Sequence, residues 1–381
     1  MKSEWKEYTL DEVCERIFSG GTPSTMHSEY WNGTLKWLSS GETSQRFIYD
    51  TERKITEIGV KNSSTKLATK GCTVIATAGQ GFTRGQASFL MTDTFLNQSV
   101  IACKANERFV LPLFLYYNLD NRYEEFRLLS DGTSTRGGLS GWILKRMTIL
   151  LPPLDEQKKI VDILEKIDRK IEVNNAINHN LQQQAEALYK DYFVNFSATN
   201  GEIPLSWKKY ILAEFLPVIT GKKNANISSE KGKYPFFSCS QDIAWTDEYS
   251  FEGSAILVAG NGDFNVKWYD GKFEAYQRTY VLIPRNSRFT AWLYYAIKYN
   301  LNIITSAARG SVIKFITKGN LEDFSFYAPN SLSECDIIDT FTKINETIDM
   351  HTQENYKLST LRDTLLPKLM SGEIDVSEVE V

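Results

Sequence analysis

Two short glycine-rich segments are the first places in this chain where residue types and spacing could support chemistry. Gly79-Gln80-Gly81 and Gly260-Asn261-Gly262 each follow an apolar run that predicts a β-strand. The backbone amides of such a segment can cradle a phosphate. Neither segment completes the GxGxxG pattern, however, and the chain has no GxxxxGK[ST] motif for nucleotide hydrolysis. A turn between two strands is the simpler interpretation, and a ligand-cradling loop is the alternative.

Residues suited to catalysis or metal binding are scarce. The three histidines, His27, His179 and His351, lie far apart, and the five cysteines show no metal or redox spacing. No Ser/His/Asp or Cys/His arrangement can be assembled from them. Pro152-Pro153 lies between leucines and therefore does not match the Asn/Asp-Pro-Pro-aromatic motif of a DNA methyltransferase. The sequence predicts neither catalytic residues nor a metal site.

The elements that would position any site are duplicated. A shift of 177 residues superimposes the apolar residues of two helical segments, for example Ile160 on Ile337 and Leu164 on Phe341. A shift of 202 residues aligns the start Trp5-Lys6-Glu7-Tyr8 with a second start at residues 207–210. A repeated module with helical spacers predicts a protein that contacts something at two places a fixed distance apart.

The repeat divides the chain into four segments. We assign residues 1–150 to module one, 151–197 to a first long helix, 198–328 to module two, and 329–381 to a second long helix and tail. Short apolar runs at 72–77, 99–103, 253–258 and 280–283 predict strands, and residues 111–129 and 291–301 predict a helix in each module. Both modules are therefore expected to be mixed α and β.

The two long helices carry the 3-4 apolar spacing of a coiled coil. The residues predicted to form this seam, or to bind a partner, are Ile160, Leu164, Ile167, Ile171, Leu181 and Leu188 in the first helix, and Ile337, Phe341, Ile344, Ile348, Leu358 and Leu365 in the second. Polar residues interrupt the middle of each seam: Asn174 and Asn178, then His351 and Asn355. If the helices pair antiparallel, these four residues lie opposite each other and fix the register. Exposure to solvent at a bend is the alternative.

Length, hydropathy and charge limit the class of protein to which the chain can belong. A length of 381 residues fits two or three domains, and no apolar run approaches 18 residues, so we expect no membrane span and a cytoplasmic protein. The net charge of −4 is low for a nucleic-acid binder, but the acidic excess is concentrated at residues 329–381, which carry −7, whereas residues 1–150 carry +2. Because affinity for DNA follows local phosphate contacts, the total charge does not exclude DNA binding. It predicts weak binding by this chain alone.

Three segments together resemble the specificity subunit of type I restriction-modification enzymes. Residues 151–160 read LPPLDEQKKI, residues 187–196 read ALYKDYFVNF and lead to GEIPLSW at 201–207, and residues 365–374 read LLPKLMSGEI. These are similar to the start of that family's central helix, to the end of that helix with the second module that follows, and to its C-terminal end. The second helix start departs from the family pattern, because SLSEC at 331–335 replaces the Pro-Leu-x-Glu-Gln form.

The resemblance implies a mixed α/β fold: two related α+β target-recognition domains joined by two long helices that pair as an antiparallel coiled coil with pseudo-twofold symmetry. It implies a non-catalytic subunit that reads a split target in double-stranded DNA, one domain for each half-site, as part of host defence. Two methyltransferase subunits and the restriction-motor subunits would be its partners. This chain would bind no cofactor itself, and S-adenosylmethionine, ATP and magnesium would belong to those partners.

Under that resemblance, polar residues in glycine-containing loops are the candidates for contacts to base edges and phosphates. The candidates are Gln80, Arg84, Gln86, Ser134, Thr135 and Arg136 in module one, and Lys222, Lys223, Asn261, Asn265, Lys267, Arg309, Ser311 and Lys314 in module two. Ordinary solvated surface is the competing interpretation for each. For the whole chain the competing function is a non-catalytic tandem-repeat scaffold that binds proteins, and a cryptic enzyme in one module is a third possibility.

Overall fold

The computed structural model describes residues 5–79, 82–131, 139–229, 232–306 and 314–379. Two compact units are present. Unit one comprises Met1–Ile171 with Tyr356–Val381, and unit two comprises Glu172–Asn355. Each unit therefore contains one module together with part of both long helices.

Unit one contains three small sheets. Its strands are β1 (Lys6–Thr9), β2 (Cys14–Ser19), β3 (Trp31–Leu38), β4 (Phe47–Ile48), β5 (Arg53–Ile55), β6 (Lys66–Ala68), β7 (Thr73–Ala76), β8 (Ala87–Leu90), β9 (Thr94–Leu96), β10 (Val100–Ala105) and β11 (Thr148–Leu151). The strand orders are β2-β10-β7-β8-β4, β5-β3-β9-β6 and the pair β1-β11. That pair joins the first and last strands of the module, which explains why the repeated start at Trp5 lies beside the module's end.

The α-helices among the described residues of the first half of the chain are α1 (Leu10–Val13), α2 (Glu57–Lys61), α3 (Pro112–Asp120), α4 (Tyr123–Asp131), α5 (Gly141–Arg146) and the long α6 (Leu154–Tyr189). The sequence predicts one continuous helix over 111–129, whereas the structure has two helices, because the chain turns at Asn121 and Arg122 between α3 and α4. Arg122 there pairs with Glu125 at 2.6 Å and donates to the carbonyl of Thr148 at 2.8 Å, which ties the turn to β11. These contacts hold the break in place.

Unit two repeats the core of this arrangement with one larger sheet. Its strands are β12 (Trp207–Ile211), β13 (Val218–Thr220), β14 (Tyr234–Phe237), β15 (Ala244–Thr246), β16 (Phe251–Ala259), β17 (Val266–Ala275), β18 (Thr279–Leu282) and β19 (Ser325–Pro329), and its helices are α7 (Thr290–Tyr299), α8 (Leu301–Ser306), α9 (Lys318–Glu322) and the long α10 (Ile337–Met370). The orders are β13-β18-β16-β17-β14-β15 and the closing pair β12-β19. The predicted strands at 253–258 and 280–283 are confirmed as β16 and β18.

The long helices supply part of each module's core. Ile160 and Leu164 of α6 are fully buried among the core residues of module one, together with Leu369 of α10. In unit two, Phe341 of α10 and Tyr189 of α6 are buried in the core of module two. The apolar spacing read from the sequence therefore serves packing against the modules as well as any contact between helices.

The start of each long helix is tied to its own module by a different side chain. In unit one, buried Gln157 accepts from the amide of Leu111 at 2.9 Å and donates to the carbonyls of Phe109 and Pro152, each at 2.9 Å. A shift of 177 places Glu334 at this position in unit two. The glutamine clamp is therefore absent from the second start.

Arg288 replaces that clamp in unit two. Its guanidinium donates to the carbonyls of Leu332 and Cys335 at 2.9 and 3.2 Å, and it forms a bidentate pair with Asp339, the shorter contact being 2.6 Å. The same hydrogen bonds lower the pKa of Asp339. In unit two the side chain that makes these contacts, Arg288, belongs to the module, whereas in unit one it is Gln157 of the long helix. Residues 331–335 therefore do not need the glutamine of the family pattern.

Candidate nucleic-acid interface

The loop of residues 77–86 joins β7 to β8 and carries the module-one candidates that the structure describes. The amide of Gly85 donates to the carbonyl of Ala76 at 2.8 Å, and the hydroxyl of Tyr123 on α4 donates to the carbonyl of Phe82 at 3.0 Å. Gly79 and Gly85 have φ values of +149° and +91°, which favour glycine. Gly79 and Gly85 therefore lie in the connection between the two strands, where Arg84 and Gln86 are partly exposed.

Phe82 was missed by the sequence analysis. Its side chain is 82% exposed, although the loop backbone beside it is held by hydrogen bonds. An aromatic residue flanked by glycines in a predicted loop is the signal that could have identified it. Apolar side chains at this kind of position contact thymine methyl groups or insert between base steps in other DNA-binding proteins. Phe82 therefore joins the candidates of module one.

A cavity of about 440 Å³ lies beside this loop, lined by Phe82, Gln86, Tyr123, Arg46, Asp120 and Arg362 among others. Arg46 donates to Asp120 at 2.8 Å, and burial raises the pKa of the Asp120 carboxyl above its ordinary value. The carbonyl oxygen of the Gln86 side chain is buried without a hydrogen-bond partner among the described residues. Arg46 and Asp120 in the cavity lining therefore neutralise each other. The side-chain carbonyl oxygen of Gln86 can still accept a hydrogen bond.

In module two the matching turn, residues 260–265, packs against neighbouring loops. Gly260 lies against the carbonyl of Arg278, where a Cβ atom would come within 2.4 Å, so only glycine fits. Asn261 forms a bridge with Phe315, and the amide of Gly262 donates to the carbonyl of Lys314 at 3.1 Å. Asn261 and Lys314 are therefore brought together in one loop cluster.

Asn265 and Lys267 lie in the same loop cluster, where their side chains hydrogen-bond to the backbone of neighbouring segments. Asn265 is buried, and its amide nitrogen donates to the carbonyls of Cys239 and Asp263, each at 2.9 Å. Lys267 donates to the carbonyl of Ser240 at 2.6 Å, and burial lowers the pKa of its ammonium group. These contacts give both residues a structural role, and their contact with DNA stays a prediction.

The other module-two lysines are more open. Lys222 is exposed, with its ammonium 5.2 Å from the centre of the Phe251 ring, and Lys314 is exposed. Lys223 pairs with Glu248 at 2.6 Å, and this pairing raises the pKa of the lysine. The predicted site residues Gln80, Ser134, Thr135, Arg136, Arg309 and Ser311 lie outside the described residues.

The polar residues in the middle of the long helices meet within unit two. Asn174 is fully buried, and its amide donates to Asn355 at 2.8 Å and to Glu354 at 2.7 Å. His351 Nδ1 lies 2.9 Å from Asn178 Oδ1. Burial and direct contact fit the interpretation in which these residues face each other.

Two kinds of feature are absent from the described part of the chain. Histidine, cysteine and carboxylate side chains form no group there that could hold a metal ion. Among the same residues, no helix combines the length and apolarity needed to cross a membrane.

Comparison with known proteins places these features in a family. The model of the type I restriction modification DNA specificity domain matches residues 2–183 and again residues 204–360. The chain is 37% identical to the EcoDI specificity subunit of Escherichia coli over 46% of this chain and 40% of that protein. It is 24% identical to the MjaIX specificity subunit of Methanocaldococcus jannaschii over 99% of this chain and 95% of that protein.

The fold has a solved counterpart. The S subunit of a type I restriction-modification system from M. genitalium aligns with a TM-score of 0.64 over 96% of both chains, at 18% sequence identity. Because the two family matches together cover most of the chain, one on each module, the chain belongs to the type I restriction-modification DNA specificity family as a specificity subunit.

Proposed function

We propose that this subunit reads a split target in double-stranded DNA, with one module contacting each half-site. The observation that carries the proposal is the double match of one DNA specificity domain to a chain whose two modules share a core strand arrangement. The chain itself is non-catalytic in this proposal. S-adenosylmethionine, ATP and magnesium are bound by partner subunits in the same proposal.

The helices act as the spacer between the modules, paired as an antiparallel coiled coil with pseudo-twofold symmetry. Contacts inside unit two support this pairing, because rising residue numbers in α6 meet falling numbers in α10: Asn174 with Asn355, then Asn178 with His351. In unit one, Asp168 meets Arg362 in the same sense. Buried polar pairs of this kind favour one register over its alternatives.

Arg84 is the module-one residue that we expect to contact a base. An Arg84→Ala change should weaken binding to the correct target by about 1–3 kcal/mol and relax the preference at one base pair of half-site one, since a bidentate arginine contact discriminates between bases by that amount. Competition binding with duplexes substituted at each position measures this. Arg108→Ala is the matched control, on an exposed turn before α3. Unchanged affinity and unchanged base preference in Arg84→Ala would remove Arg84 from the interface.

The helices also provide the surface to which two methyltransferase subunits dock in this proposal. Leu181 is a partly exposed residue of α6. A Leu181→Asp change should abolish co-purification with the methyltransferase subunit, because a charge would then face an apolar contact. The neighbouring exposed residue provides the control, Gln183→Asp, which should co-purify normally. Normal co-purification of both variants would count against this docking surface.

One experiment distinguishes the DNA-reading function from the alternative function of a protein-binding scaffold. The chain is assembled with its methyltransferase subunits and tested for mobility shift on a duplex that carries the target against a duplex that lacks it. We expect selective binding that weakens as salt rises, because phosphate contacts release counterions. Equal failure to bind either duplex by an intact assembly would favour the scaffold.

A further inference from the structure

A buried ionic cluster joins module one to both long helices. Asp168 of α6 is 3% exposed. It accepts from Arg362 of α10 at 2.9 Å, from the Tyr117 hydroxyl of α3 at 2.9 Å, and it pairs with Arg46 at 3.4 Å. A single carboxylate is therefore contacted from three separate elements of unit one.

The cluster lies beside the candidate DNA-reading loop. Arg46 and Arg362 both line the 440 Å³ cavity that Phe82 and Gln86 also line. Any movement of module one along the helices would separate Arg46 and Tyr117 from Asp168. Arg46 would keep Asp120 and Asp168 would keep Arg362, but a buried carboxylate would lose two of its three contacts, which is unfavourable. The cluster therefore favours one placement of this loop relative to the helices.

Unit two has a related construction with a different arrangement of charges, in which Lys298 of α7 pairs with Glu186 of α6 at 2.8 Å. The sequences Leu115-Tyr116-Tyr117 in α3 and Leu293-Tyr294-Tyr295 in α7 occupy the same positions in their helices. The Tyr295 hydroxyl donates to buried Asn345 at 2.8 Å, and a shift of 177 aligns Asn345 with Asp168.

The position that corresponds to Arg362 is Ala185. The amide nitrogen of Asn345 has no hydrogen-bond partner among the described residues. The joint of module two thus keeps the tyrosine contact but has uncharged residues, Asn345 and Ala185, where unit one has the pair of Asp168 and Arg362.

We propose that Asp168 is the positioning residue that fixes module one on the helix pair and so sets the distance at which half-site one is read. This proposal rests on the proposed function, because it assigns a residue to the spacing between half-sites. Asp168 acts through Arg46, Arg362 and Tyr117 and does not itself touch DNA. Module two is held by separate contacts, namely Tyr295 with Asn345, Lys298 with Glu186 and Arg288 with Asp339, so Asp168 affects the placement of module one alone.

The test compares methylation by the assembled complex on duplexes with the natural gap and with gaps one base pair shorter or longer. The variant Asp168→Asn keeps the shape of the side chain and removes its charge. We expect its preference for the natural gap, measured as the ratio of kcat/KM values, to fall about tenfold to a hundredfold, since misplacement by about 1 Å has effects of that size. Base preferences within each half-site should stay unchanged. The matched control is Glu165→Gln, which removes the charge of a partly exposed carboxylate on the same helix and should keep the preference for the natural gap.

Thermal unfolding establishes that each variant is folded. If Asp168→Asn does not fold, Tyr117→Phe decides the question, because it removes one of the two contacts between module one and the Asp168 carboxylate and keeps both ion pairs. If a folded Asp168→Asn variant keeps its preference for the natural gap, the positioning role is overturned and the proposed function still stands. The same holds for Tyr117→Phe where Asp168→Asn does not fold. Failure of the unmodified complex to methylate any split target would overturn both.

Discussion

Trp292→Ala is expected to lower the free energy of unfolding of module two by about 3–5 kcal/mol, the usual range for removing a fully buried tryptophan. Trp292 of α7 has no exposed surface, and its ring lies 5.4 to 5.6 Å from the rings of Phe193, Phe215 and Phe326. The large cavity would loosen the helix that packs behind the sheet of module two. Recognition of half-site two should be lost with it.

Denaturant unfolding together with hydrogen exchange resolved by segment measures the change and locates it. The control is Trp142→Ala, because Trp142 on α5 is 66% exposed and its ring stacks with the guanidinium of Arg146. Its substitution should change the unfolding free energy by less than about 0.5 kcal/mol. Equal effects of the two substitutions would mean that Trp292 is not central to the core of module two.

Lengthening both long helices by one turn is expected to lengthen the gap between the half-sites. Four residues are inserted in each helix between the contact pairs Asn174–Asn355 and Asn178–His351. Four residues add about 6 Å of helix, which corresponds to about 2 base pairs at 3.4 Å each. The methylated motif should keep both half-site sequences and gain about 2 unspecified base pairs.

Insertion into α6 alone is the control for this experiment, since it leaves the polar pairs out of register and should reduce methylation at every gap. Sequencing of methylated sites from a randomised-gap library gives the preferred gap for each variant. A double insertion that methylates efficiently with an unaltered gap would show that the helices are not the spacer.

Much of the fold is readable from local sequence, because strands and helices have short periods. The strands β7, β10, β16 and β18 follow apolar runs ended by glycine or polar residues, and the long helices follow the 3-4 spacing. The repeat itself needed only the shifts of 177 and 202 residues. The break between α3 and α4 was not readable, because the contact of Arg122 with Thr148 that fixes it is distant in sequence.

The candidate sites are also formed by residues that are distant in sequence, so local patterns do not predict them. Arg46, Asp168 and Arg362 are separated by more than a hundred residues and share no motif, so no local pattern predicts their contact. Arg288 likewise acts on residues 44 or more positions away. Asn265 is a candidate for DNA contact because it is polar and lies near glycines in a predicted loop, whereas its buried side-chain amide donates to two backbone carbonyls. Loop residues are predicted from composition, but their burial depends on the tertiary contacts around them.

The central claim, that this chain directs methylation to a split DNA sequence, is tested most directly by mapping N6-methyladenine across the genome of the source cell with and without the gene for this chain. We predict that deletion removes methylation from one motif made of two short half-sites with a fixed unspecified gap, and that restoring the gene restores it. An identical map in both strains, obtained while the chain and its methyltransferase subunits are present and assembled in the unmodified cell, would contradict the claim.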